Sequence, residues 1–551
     1  MRQNAIGYVR LVDHTELIET TEPVPIFNHT ERAGFAHRPD KATPKNPEHY
    51  RETPDRTTSA RTHSPNHTNP RGNTPPLHNK PKPNEYKNLA KNTVSLAIGQ
   101  FASKLLVYFM IYFYTLWLGK DGFGEVSNIV NICALLIVGV TLSIGDGINR
   151  YALDKTGTYD KKGVFTNALI VCLSGNAVFF VLSFFIGLFG ENIAQYRLLI
   201  VFYVLVGSIK SCVALFVRSS GHVRLYAVDG IVTTAANIAF NILFLGILGL
   251  SVKGYIMSVV LGDLCSILFL TFSAKVYRSI DFKAGRWFFG KMLKFSLPYV
   301  PTAVMIWIIN LSDGLIITAK MSAADNGVYQ AAYKFPALIA LAAGIFTQAF
   351  NISAIGGENT EPSPKRNKFF TEVFNAYTSF IFFASCGLLL IIRPLLLKMT
   401  APGFEYAYRV TPFLILGSVF TCFGQFLGTV YAAEEKSVSS MITAASGAAM
   451  NLLLNFALIP IFGLQGAAFA TCVSYALIFA VRFKDTKKYV TIDVKSARFG
   501  VQCGCALLMG CVIIFFHGSG MYYPLLIALF LVSGLICGRE VMNMGRRILR
   551  R

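Results

Sequence analysis

Three charged side chains stand deep inside long apolar runs: Lys104, Lys210 and Asp263. If those runs are membrane helices, Lys104 lies about 16 Å along the first, near the bilayer midplane. A charge at that depth costs at least about 2.5–3.5 kcal/mol, so it must face a water-filled cavity or an opposite charge. An ammonium is a compact point charge suited to a polyanion, whereas arginine gives a bidentate grip. Two readings therefore stand side by side: Lys104 and Lys210 attract an anionic ligand, or one of them pairs structurally with Asp263. Asp146 and Arg150, four residues apart near the end of the second run, share a helical face and either pair with each other or meet an incoming ligand. Asp313 and Lys334 fall toward the ends of the seventh and eighth runs, close to water, as exit-lining groups or interfacial anchors. Asp229 is expected to cap the fifth run, and Glu434 and Glu435 to be solvated in a loop.

The elements that position these groups are set by composition. The chain has 551 residues, is 53% hydrophobic and only 15% charged, against roughly a quarter charged in soluble domains. Its net charge of +21 lies, beyond the N-terminal tail, mostly in short gaps between apolar runs, which argues against nucleic acid as a partner. Stretches long enough to cross a bilayer are expected near 93–118, 126–152, 164–188, 197–217, 227–248, 253–273, 295–318, 327–350, 370–393, 411–432, 438–459, 464–482, 497–516 and 522–538. The expected fold is thus an all-α integral membrane protein of about fourteen helices. Lys and Arg concentrate in the gaps after even-numbered spans, such as Lys161, Arg218, Arg278, Arg366 and Lys484. The positive-inside rule then places both termini in the cytoplasm, as an even span count requires. Pro298, Pro301 and Pro336 fall at or inside the seventh and eighth spans, where they interrupt backbone hydrogen bonding.

Residues 1–91, rich in Pro, His, Asn and Thr, read as a disordered cytoplasmic tail. The 11 cysteines, such as Cys172, Cys212, Cys265, Cys386 and Cys472, sit mostly in apolar runs without metal-binding spacing. No phosphate-binding loop is present, so ATP is not the direct energy source, and no metal, cofactor or catalytic group is expected.

One element occurs twice. Asn237 and Asn241 precede Gly249 and Gly254, and Asn451 and Asn455 precede Gly463 and Gly466. Each asparagine pair shares a helical face, and its expected role is bonding between helices within one half of a duplicated protein. Together with Leu118-Gly119, Gly122 and Gly124 after the first span, and Asp325, Asn326, Gly327 and Tyr329 after the seventh, this pattern resembles the polysaccharide flippase family. That family belongs to the superfamily of multidrug extruders and lipid II flippases. The resemblance covers about 88–551. It departs at Leu116-Trp117 and Asp313-Gly314, where relatives often carry arginine.

The resemblance implies two six-helix lobes, 92–274 and 295–482, joined by a basic linker over 275–294, with two further helices in 483–551. It implies transport of an undecaprenyl-diphosphate-linked oligosaccharide across a bacterial plasma membrane by alternating access, without enzymatic chemistry. Lys104, Lys210, Arg150 and Lys334 would form the cationic cavity. Asp146, Asp263 and Asp313 would be cavity carboxylates, with Asp263 or Asp313 coupling transport to a sodium or proton gradient, membrane potential being the other source of drive. The expected partners are the lipid-linked glycan, membrane lipids and the polysaccharide polymerase machinery, with the protein itself a monomer. A multidrug extruder is the first alternative, disfavoured because deep lysines match or exceed deep carboxylates. A polytopic glycan polymerase or ligase is the second, disfavoured by the short loops.

Overall fold

Long apolar runs can satisfy their backbone polar groups in a bilayer only by forming helices or closed barrels, and this chain forms helices. The computed structural model describes residues 83–152, 159–185, 195–283, 286–344, 364–434 and 436–549, the side chains of 83–107, 223, 365, 432, 433, 437 and 539–549 excepted. Most of the tail expected at 1–91 lies outside the described residues. The helices are α1 (Pro83–Thr141), α2 (Ile144–Ala152), α3 (Lys161–Leu182), α4 (Arg197–Ser219), α5 (Val223–Asn241), α6 (Ser251–Ser273), α7 (Phe289–Ser296), α8 (Tyr299–Lys320), α9 (Ala323–Lys334), α10 (Pro364–Met399), α11 (Ala407–Ala433), α12 (Ser437–Phe462), α13 (Leu464–Thr486), α14 (Ser496–Phe515) and α15 (Tyr522–Leu549). Among the described residues there is no strand. Among the described residues, eleven stretches are long and apolar enough to cross a membrane, and Tyr522–Gly538 is a shorter apolar helix. The first of the eleven, Tyr108–Thr141, joins spans one and two across a break at Gly119, whose φ of 64° and ψ of −174° suit glycine.

Several boundaries differ from those expected. Span two is interrupted at Leu142 and Ser143, both in the left-handed region (φ 49° and 53°). Span seven begins at Arg286, taking in part of the linker, and breaks at Leu297-Pro298 between α7 and α8. The helix of span eight starts at Ala323, capped by the Ser322 hydroxyl accepting from Asp325 N at 3.0 Å. Asp229 is no cap, because α5 starts at Val223. Its buried carboxylate instead accepts from Ser266 of α6 at 2.7 Å. Glu434 is not merely solvated either: it pairs with Arg366 at 2.9 Å with its side chain 29% exposed.

The two halves meet through glycine. Gly124 in α1 lies so close to the Ala323 carbonyl that a Cβ there would overlap it, and Gly327 in α9 meets the Lys120 carbonyl in the same way. Each glycine thus receives the carbonyl four residues before the other, the signature of two related helices crossing at closest approach. Polar bonds close the same end: Asn326 Nδ2 donates to Gly124 O (3.0 Å) and Asn128 Oδ1 (2.9 Å), and Asn128 Nδ2 donates to Thr318 Oγ1 (2.7 Å). Deeper in, Trp307 Nε1 donates to Asn131 O at 2.7 Å.

The opposite, basic end is built differently. The main apolar core mixes both halves, with Phe123, Ile129 and Ile137 packed in one cluster with Phe335, Phe374 and Phe423. A second core holds Ile144, Tyr151, Phe165 and Phe216 together with Phe288 and Met292 of the linker. Among the described residues, that second core takes nothing from beyond Phe295. The halves are fused at the glycine end and joined through α7 at the basic end. The break at Leu142-Ser143 falls where one core gives way to the other, which makes it a natural flexing point.

Candidate functional site

A buried polar cluster lies inside the second half. Asp313 of α8 is 0% exposed. Three donors from three helices converge on its carboxylate: Tyr329 OH of α9 at 2.6 Å, Asn455 Nδ2 of α12 at 2.5 Å and Thr471 Oγ1 of α13 at 2.5 Å. Asn455 also donates to Asn451 Oδ1 at 3.0 Å, which in turn accepts from Ser312 Oγ at 3.2 Å. Spacing explains the convergence. Asn451 and Asn455 are one helical turn apart and share a face of α12, and that face meets α8 where Ser312 and Asp313 adjoin, so each asparagine bonds one of them. Burying a carboxylate costs several kcal/mol, and hydrogen bonds to a charged acceptor return about 1.5–3 kcal/mol each. Asp313 is therefore not the interfacial anchor near water that its sequence position suggested. One buried atom beside it, Asn455 Oδ1, has no partner. A second knot adjoins the first: Asn310 Oδ1, one turn before Asp313, accepts from Tyr333 OH at 3.4 Å and from Tyr475 OH.

The two expected groups, a coupling carboxylate and a pair of structural asparagines, prove to be one site. Thr471 and Ser312 carry no motif in the sequence, and Tyr329 belongs there only to the glycine pattern after the seventh span. Their signal was weak, since hydroxyls in membrane helices commonly bond their own backbone.

The first half lacks the same centre. Counting back from the matched Gly124 and Gly327, Met110 takes the place of Asp313. Asn241 there donates to Asn237 O at 2.7 Å and to Tyr114 OH at 3.3 Å. Asn237 packs against Gly262 of α6, where a Cβ would overlap its side chain. The asparagine pairs are thus duplicated, and the acid is not.

Lys334 is the residue the structure moves furthest. Because α9 starts at Ala323, Lys334 lies about 16 Å along it at 1.5 Å per residue, well inside the bundle and half-buried rather than near water. The Pro336 ring cannot donate to the preceding turn. Leu338 N, the regular helical donor to the Lys334 carbonyl, donates to Phe335 O at 3.0 Å, so the Lys334 carbonyl accepts from Tyr108 OH of α1 at 3.0 Å and the Pro336 carbonyl from Ser418 Oγ of α11 at 3.1 Å. Lys334 therefore sits on the seam between the halves. Lys104 lies one helical turn before Tyr108 in α1, and its side chain is outside the described residues.

Lys210 in α4 and Asp263 in α6 are half-buried on helices that pack together. Asp146 is buried in α2, and Arg150 at its end lies over the Phe295 ring, 5.8 Å from the centroid. That ring belongs to α7, so Arg150 touches the segment joining the halves. Among the described residues no cluster of three or more His, Cys, Asp or Glu could hold a metal.

Comparison with known proteins agrees with this architecture. Residues 89–350 match the family model described as polysaccharide biosynthesis protein. No curated protein sequence matches the chain significantly. Among solved structures, the lipid II flippase MurJ in an inward closed conformation aligns with a TM-score of 0.59 and 16% identity, over 83% of this chain and 100% of that one. The MATE multidrug transporter DinF-BH aligns with a TM-score of 0.54 and 18% identity, over 74% and 96%. An inward-facing multidrug resistance MATE family transporter of the MOP superfamily aligns with a TM-score of 0.53 and 16% identity, over 70% and 98%. The resemblance read from the sequence therefore holds: residues 89–350 match the model of the polysaccharide biosynthesis protein family, in a multi-pass all-α chain with the fold of the solved flippase and multidrug transporters.

Proposed function

We propose that this protein is a flippase carrying a diphosphate-linked oligosaccharide lipid across a bacterial plasma membrane for surface polysaccharide synthesis. The observation that carries this reading is Lys334 at mid-depth on the seam, bonded through its carbonyl to α1 one turn from Lys104. An ammonium at that depth is tolerated where it faces a water-filled cavity or an opposite charge, and a diphosphate headgroup entering the seam brings such a charge. The basic end is read as cytoplasmic by the positive-inside rule, which places both termini there. The structure then corresponds to a state sealed outside by Gly124 and Gly327. Lys104, Lys210 and Lys334 receive the headgroup, Arg150 meets it on arrival, and the polyprenyl tail stays in lipid. The same end carries Asp146, and Asp263 stands deeper in the first half.

The Asp313 cluster is the proposed coupling site. A buried carboxylate beside an unpartnered carbonyl oxygen, Asn455 Oδ1, suits a cation carried with the gradient, either a proton or sodium. Loading it changes the charge among α8, α9, α12 and α13, the helices that must rearrange when the second half tilts. Asp263 is the alternative carboxylate for this role. The multidrug reading is weaker, because the carboxylate that would attract a cationic drug is enclosed by three donors.

In a strain lacking its own copy of the gene, Lys104→Ala and Lys334→Ala should each abolish surface-glycan export while membrane levels of the protein stay near wild type. Export at the wild-type rate by the double variant would reject the cationic cavity.

A further inference from the structure

At the glycine end three helices begin close together: α11 at Ala407, α13 at Leu464 and α15 at Tyr522. Their first turns touch one group of side chains. Gln465 Nε2 donates to Arg409 O at 2.9 Å, Arg409 Nη2 bonds His517 Nε2, and Arg393 Nη1 donates to His517 O at 2.8 Å. Arg393 also lies against two rings, 5.5 Å from the Tyr408 centroid and 5.2 Å from that of Tyr522. Arg409 lies 5.5 Å from the ring of Tyr406.

Two guanidiniums and an imidazole therefore share one half-buried corner. Among the described residues, no carboxylate forms an ion pair with either arginine. The acid of the neighbouring loop, Glu405, is engaged elsewhere: Gly403 N donates to it at 2.8 Å. That bond, a second from its own backbone and the charge of Lys120 hold its carboxyl below the usual range. Partly buried charge without a counter-ion is unfavourable, and three helix N-termini add positive potential to the same corner.

The corner also holds unused hydrogen-bonding capacity. His517 Nδ1, Tyr522 OH and Gln465 Oε1 are buried without partners, and Tyr522 is 2% exposed. Since His517 Nε2 accepts from Arg409, the imidazole proton is on Nδ1. His517 N–H and Tyr522 O–H are thus two donors lacking an acceptor, beside two guanidiniums that present further N–H groups. Gln465 Oε1 suits a protonated oxygen of the same ligand. Exposed Phe516, Met521 and Tyr523 flank the corner, as expected where it opens toward lipid.

We infer that Arg393, Arg409, His517 and Tyr522 form a second anion site, which takes a phosphate oxyanion at the glycine end of the bundle. It lies on α10, α11, the turn between α14 and α15, and the start of α15, apart from Lys104, Lys210 and Lys334. Its place in transport rests on the flippase reading: the outward end would receive the diphosphate headgroup as it leaves the seam. The phosphate of a lipid headgroup and free phosphate share the chemistry the corner recognises.

The test uses the full chain in nanodiscs and reads thermal stability, since a ligand bound only by the folded state raises Tm. One arm adds inorganic pyrophosphate to phosphatidylcholine nanodiscs. The other builds phosphatidic acid into the disc and adds no free phosphate. Tm should rise by about 2 °C or more in at least one arm, the first marking a soluble ligand and the second a headgroup. Arg393→Gln with Arg409→Gln should remove the rise. His517→Gln and Tyr522→Phe, which keep both guanidiniums in place, should each cut it by about half. Lys104→Ala with Lys334→Ala should keep it, even if no flippase activity is ever found. No rise in either arm, a rise that survives loss of both arginines, or one lost with the two lysines would overturn the site.

Discussion

Asp313→Asn should lower gradient-driven transport on the order of 10–100-fold and remove its dependence on the coupling ion, while the protein still folds and inserts. The amide keeps the shape of the carboxylate. The hydroxyls of Tyr329 and Thr471 can turn from donating to accepting, so the packing among α8, α9, α12 and α13 survives. A neutral amide cannot take up the coupling proton, and it lacks the negative charge that would hold sodium beside Asn455 Oδ1. Transport measured in vesicles with and without an imposed sodium or proton gradient separates the cases. If Asp313→Asn protein still responds to the gradient, the coupling site is elsewhere, and Asp263 becomes the candidate. Thr471→Val should fall between wild type and Asp313→Asn, because it removes one of three donors to the carboxylate.

The second large effect is expected at the glycine crossing. Gly124→Leu sets a Cβ against the Ala323 carbonyl, a backbone atom that no rotamer change can move aside. Overpacking of this kind costs about 1–3 kcal/mol or more, which shifts a two-state equilibrium by roughly 5–150-fold. The state penalised is the one closed at the glycine end, so the variant should rest open at that end. Asn131 is buried in this seam, its carbonyl taken by Trp307 Nε1 at 2.7 Å. In an Asn131→Cys background with exposed Cys511 replaced by serine, Gly124→Leu should speed labelling by an impermeant maleimide added on the outer side. Gly327→Leu should do the same, because the two glycines are related by the duplication. Unchanged labelling in both would mean that the crossing is not the gate.

Much of this architecture was legible in the sequence because a bilayer is a strict solvent. Long apolar runs must be helices, and their number follows from length. The repeated Asn and Gly element announced the duplication. Pro298 announced the break in span seven, but nothing comparable announced the break in span two: Leu142 and Ser143 adopt left-handed backbone where the nearest glycines are Gly139 and Gly145. The site was legible by residue type and obscured by depth. Asp313 and Lys334 both lie deeper than their sequence positions suggest: α9 starts four residues before the expected span eight, which adds a full turn ahead of Lys334, and Asp313 is enclosed by α9, α12 and α13, whose faces the spacing does not reveal. The union of Asp313 with Asn451 and Asn455 could not be read from spacing, since it depends on which faces of α8 and α12 meet. The Arg393, Arg409 and His517 corner was equally hidden, because its members come from three separate segments, and the gaps that hold Arg409 and His517 lie about a hundred residues apart in the sequence.

The central claim is that the seam between the halves carries an anionic lipid headgroup. Its most direct test is a proteoliposome assay with a fluorescent polyprenyl-diphosphate oligosaccharide and a quencher that reaches only one leaflet. Purified protein should move the lipid between leaflets when a gradient is imposed, and Lys104→Ala with Lys334→Ala protein should not. Protein that leaves this lipid in place but exports a cationic dye under the same gradient would contradict the account.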